Sequence, residues 1–128
     1  ILNICEILRK RNVKRLLILG LSYKNDTPET TESSSIELIK NIKKNIEITV
    51  FDENLKDINS KIFKDLQMVK NLKNELKNHH TIIIMKNKNY LKDYELSKNT
   101  LIIDPWRIHK TRFALDKNYI PLGIYNEF

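Results

Sequence analysis

Glycine is nearly absent from this chain: Gly20 and Gly123 are the only two among 128 residues. A dinucleotide-binding fingerprint needs three glycines within six positions, for a tight turn and a close backbone approach to a pyrophosphate. With only two glycines, at opposite ends of the chain, that motif is excluded. Proline numbers three, and no segment is repetitive or compositionally biased. The single cysteine, Cys5, rules out an internal disulfide and fits a cytosolic, cytoplasmic compartment. One cysteine and three histidines, two of them adjacent as His79-His80, show no ligand spacing, which argues against a metal site. No apolar run is long enough to span a membrane. The stretch Ile1–Lys10 is amphipathic without a cleavage pattern, so it does not read as a signal peptide. The chain does not begin with methionine and is expected to be a piece of a longer protein.

What is present suffices for one domain with a real core: 128 residues, 41% of them hydrophobic. Lys and Arg outnumber Asp and Glu by 23 to 16, a formal net charge of +7. The lysines are spread along the chain among Asn and Glu, and no basic run carries interleaved aromatics. That pattern reads as a solvated surface rather than a nucleic-acid module, with a modest attraction to anions such as nucleotides.

Ile1, Ile4, Cys5, Ile7 and Leu8 share one helical face, which predicts the end of a helix entering from an upstream domain. In that stripe Cys5 reads as a small hydrophobe, not a catalytic thiol. Leu16-Leu17-Ile18-Leu19 is a doubly buried strand, about Arg15 to Leu19, ended by Gly20. A polar loop follows. Ser34 and Glu37, spaced as a capping box, then open a helix to about Lys44. Glu47 to Asp52 reads as the second strand of a right-handed βαβ unit. Without a glycine fingerprint, Asp52 is expected to end or cap its strand rather than bind ribose. Leu55 to Lys70 predicts a short helix or irregular cover, and Leu72 to Lys77 a helix that His79-His80 closes. Further strands are predicted at Thr81–Met85 and Thr100–Asp104, with an edge strand from Tyr119 to Ile124, where Pro121 is tolerable. Alternating strands and helices predict a three-layer α/β fold, a Rossmann-like parallel sheet with helices on both faces.

Ligands of open α/β sheets bind beyond the carboxyl ends of the strands. Two such ends pair a cation with an aromatic: Tyr23-Lys24 after the first strand and Trp106-Arg107 after the fourth. A lysine point charge and an arginine fork suit phosphate oxygens, and a ring can stack on a base or sugar. From spacing alone, surface charges and a core or interface anchor at Trp106 are the simpler reading.

The same residues carry a family resemblance. Gly20 to Thr27, followed by Thr31-Glu32-Ser33, resembles the "G-x-(aromatic)-K-x-x-T … R-E-S" run of UDP-glucose/GDP-mannose dehydrogenases. That run opens their carboxyl-terminal, nucleotide-binding domain. Val50-Phe51-Asp52-Glu53 is similar to the family's "V-x-D-P" without the proline, and Asp104 with Arg107 to its "I-x-D-G-R", the arginine one position later. Lys86-Asn87-Lys88 stands where the family often has "T-E-W". The resemblance implies substrate contacts from Tyr23, Lys24 and Arg107. Thr31 takes the position of an arginine that contacts NAD in the family. It further implies boundaries at 1–12 for the end of a linking helix and 13–128 for a nucleotide-sugar-binding domain. The full-length enzyme would be NAD-dependent, with NAD held mainly by an amino-terminal domain. It would oxidise a sugar C6 hydroxyl to a carboxylate through a cysteine-bound intermediate and assemble as a homodimer or higher oligomer. Its partner would be a UDP- or GDP-linked sugar, not nucleic acid or a membrane. No catalytic residue is expected here, since nothing activates Cys5. The rival class is a flavodoxin- or receiver-like interaction module. A receiver needs clustered acids at strand ends, and Asp52 has only Glu53 beside it.

Overall fold

The computed structural model describes residues 2–21, 34–42, 44–54 and 66–122. Helix α1 (Leu2–Lys10) precedes β1 (Arg15–Leu19), α2 (Ser34–Ile42) and β2 (Glu47–Phe51). Then come β3 (Gln67–Val69), α3 (Leu72–Asn78), β4 (Thr81–Ile84), β5 (Leu101–Ile103) and β6 (Tyr119–Ile120). The six strands form one sheet of order β3-β2-β1-β4-β5-β6, and every pairing is parallel. The chain builds outward from β1 to β3, then crosses back to lay β4 on the other side of β1. The gap between the carboxyl ends of β1 and β4 is therefore the topological switch point.

Pleating explains why the central strands are apolar throughout, since alternate residues face opposite layers and both layers are dry. Leu16 and Ile18 of β1, Ile48 and Val50 of β2 and Ile83 of β4 pack with Ile4, Leu8, Leu38 and Ile39 of α1 and α2. Leu17, Leu19, Ile82 and Ile84 face the other way, against Leu72 and Leu76 of α3 and against Tyr90 and Leu91. Cys5 is half-buried against the first of these clusters, as its place in the helical stripe predicts.

Local signals set the helix ends. Asn12 closes α1 at a left-handed φ of 53°, and the Asn12 and Val13 amides donate to the Arg9 and Leu8 carbonyls. Asn71 caps α3, its side chain accepting the Asn74 amide at 3.1 Å. His79 ends α3 as the sequence predicts, with Nδ1 donating to the Glu75 carbonyl at 2.9 Å. Beyond β4 and β5 the chain runs in turns rather than helices. The Arg112 guanidinium ties these two segments together by donating to the carbonyls of Leu91 and Tyr94.

The strands at β1, β2, β4 and β5 stand where the apolar runs put them. Two expectations need correction. Gln67–Val69, inside the stretch read as a short helix or irregular cover, is an edge strand on β2. Its three residues are only exposed or half-buried, too short and too polar for strand periodicity to show. The last strand stops at Ile120, before Pro121, whose ring removes the amide a ladder needs. Residues 55–65, which carried the rest of the expected cover, lie outside the described residues.

Candidate functional site

The carboxyl edge at the switch point is built from Gly20, Asp52 and Lys86, which follow β1, β2 and β4, and from Ser35 of α2. Gly20 follows β1 with φ of 101°, a conformation in which any residue with a side chain is strained. Asp52 ends β2 as a buried carboxylate. One of its oxygens accepts the Leu21 amide at 2.7 Å and the other the Asn54 amide at 2.8 Å. Asp52 thus pins the turn after β1 to the end of β2, the strand-end role its position predicts. Ser35, in the first turn of α2, donates its hydroxyl to the Gly20 carbonyl at 2.6 Å and closes the same turn from below.

Lys86, two residues beyond β4, lies across this turn. Its side chain is 2% exposed, and its ammonium stands 2.9 Å from Glu53 and 3.5 Å from Asp52. Lys88 reaches Glu53 at 3.1 Å, and the Tyr90 hydroxyl donates to the other Glu53 oxygen at 2.9 Å. Burial by itself would raise the Glu53 pKa. Hydrogen bonds from Lys86, its own backbone, Lys88 and Tyr90 outweigh burial and hold it down at about 2. Burial and the carboxylates of Glu53 and Asp52 push the Tyr90 phenol far up, so it stays a donor.

The second cluster lies after β5. Asp104 is fully buried and accepts the Tyr119 hydroxyl at 2.6 Å and the His109 amide at 2.9 Å. Burial and then Asp104 raise the Tyr119 phenol. Burial lowers the His109 imidazole, partly offset by Asp104. This framework fixes a turn in which Arg107 adopts a left-handed φ of 56° and stands exposed, with half-buried Trp106 before it.

Arg107 and the turn at Gly20 lie on the same edge of the sheet, because β5 and β1 flank β4 in parallel. Lys86 rises between them. Tyr23, Lys24 and Thr31 lie outside the described residues, two to ten positions beyond Leu21. The acid–lysine network is hidden along the chain, since Glu53 and Lys86 are 33 positions apart. Its one visible sign is two adjacent acids ending one strand and two lysines following another. A separate cavity of about 340 Å³, lined by Cys5, Leu8, Arg9, Asn12 and Lys14 among others, opens beside the amino ends of β1 and β2, away from this chemistry.

An all-parallel sheet of this order, with its switch point between β1 and β4, defines a Rossmann-like α/β domain. The sequence profile of the UDP-glucose/GDP-mannose dehydrogenase family, UDP binding domain, matches residues 17–111. The chain belongs to that family.

No curated protein sequence matches it. Among solved structures it is similar to a UDP-glucose dehydrogenase from the hyperthermophilic archaeon Pyrobaculum islandicum, at 16% identity and a TM-score of 0.71, covering 91% of this chain and 28% of that one. It is also similar to a UDP-D-ManNAc dehydrogenase from Pyrococcus horikoshii, at 20% identity and a TM-score of 0.51, covering 79% of this chain and 24% of that one. The chain thus spans about a quarter of the length of these two structures. At these identities the likeness establishes the shared fold.

Proposed function

We propose that this domain binds the nucleotide of a UDP- or GDP-linked sugar at the carboxyl edge of its sheet. Tyr23, Lys24 and Arg107 hold the diphosphate and the adjoining groups. The family match over residues 17–111 carries the reading. The exposed Arg107 on the ligand edge supports it, because a guanidinium fork suits a diphosphate. Residues 13–128 form the binding domain, and residues 1–12 are the end of a helix that links it to an upstream part.

The parent protein is a cytoplasmic NAD-dependent nucleotide-sugar 6-dehydrogenase, a homodimer or larger assembly, which oxidises the sugar C6 alcohol to a carboxylate. NAD sits mainly on its amino-terminal domain, with Thr31 at the position from which this domain would reach the cofactor. On this reading the 128-residue chain alone supports no turnover.

Calorimetric titration of the full-length protein with UDP, GDP and inorganic phosphate tests the proposal. Saturable binding of a nucleoside diphosphate well above phosphate is the expected result. Equal, weak binding of all three would refute it.

A further inference from the structure

Lysine is almost never fully buried unless paired, and a buried ion pair gains little stability over apolar packing of the same volume. Lys86 is nonetheless buried, at the switch point where a ligand would approach, between the two acids that end β2. Asp52 and Glu53 would otherwise set two negative charges beside the ends of β1 and β4. Like charges brought together on binding oppose it strongly. A nucleoside diphosphate is itself an anion, so uncompensated acids at this edge would oppose its approach.

We propose that Lys86 is a positioning residue for nucleotide binding, which cancels the charge of Asp52 and Glu53 so that a diphosphate can approach the carboxyl ends of β1 and β4. With Lys88, two cations stand against two carboxylates among the described residues, and the charges of these four groups cancel. Lys86 acts through the acids and not on the ligand: its side chain is 2% exposed and its stem lies against Gly20. The same network engages the acids that could otherwise accept ribose hydroxyls. This inference rests on the nucleotide-sugar reading.

The test is UDP titration of the full-length protein and three variants, at low ionic strength. Lys86→Met keeps the stem and removes the charge, and should weaken UDP binding about tenfold, a change of about 1.4 kcal/mol. Lys86→Met with Glu53→Gln restores neutrality and should return affinity to within about twofold of wild type. Should Lys86→Met fail to fold, Glu53→Gln alone decides: loss of one negative charge should tighten UDP binding severalfold. Unchanged binding in Lys86→Met, no recovery in the double variant, or unchanged or weaker binding in Glu53→Gln would each overturn the proposal. A wild-type protein that binds neither UDP nor GDP would instead remove the nucleotide reading, and this inference with it.

Discussion

A Cβ placed on Gly20 would lie 2.6 Å from Cγ of Lys86 and 2.8 Å from its Cβ and Cδ. The close atoms are the root of the lysine stem, which cannot swing aside as a flexible tip could. Gly20 is therefore required twice, for its φ of 101° and for the lysine that crosses it. Gly20→Ala should destabilise the protein by about 2–4 kcal/mol, from backbone strain and overpacking together. Urea unfolding measures this, and a variant as stable as wild type would contradict the geometry.

Glu53 gives stability a definite acid dependence. Its folded pKa of about 2 lies below the ordinary value of 4.5. A lowered carboxylate pKa contributes stability that is fully present above the unfolded value and is lost as pH falls through the folded one. The gap in unfolding free energy between wild type and Glu53→Gln should therefore be constant above about pH 5 and shrink as pH falls from there towards about 2. Denaturant titrations at a series of pH values would show it. A gap that stays constant across that window would rule out Glu53 as its source.

The Asp104 cluster predicts a local loss. Tyr119→Phe removes the hydroxyl that donates to a fully buried carboxylate at 2.6 Å. Leaving that oxygen with one donor fewer costs about 1–3 kcal/mol. Thermal unfolding should show a lowered Tm, and a variant with unchanged Tm would contradict the role assigned to this bond.

Most of the sheet is legible in the sequence, because doubly buried strands leave unbroken apolar runs such as Leu16-Leu17-Ile18-Leu19 and Ile82-Ile83-Ile84. Pairing inside such strands needs no polar signal. The edge strand Gln67–Val69 is not legible, since an edge buries little and three residues carry no period. At the site, Asp52 can be read as a strand-end acid from its position alone. Lys86 cannot, because its partners depend on β2, β1 and β4 lying side by side, which the order of the chain does not state. Along the chain, Lys86-Asn87-Lys88 is only a departure from the family's pattern. In the fold it is the counter-charge to Asp52 and Glu53.

Nucleotide binding at the carboxyl edge is the central claim, and single-site variants of the full-length protein test it most directly. A charge-assisted hydrogen bond is worth roughly 1.5–3 kcal/mol. Lys24→Ala and Arg107→Ala should each weaken UDP or GDP binding about tenfold to a hundredfold in calorimetric titration. If both variants bind the nucleotide as wild type does, Lys24 and Arg107 are ordinary surface charges and the site lies elsewhere.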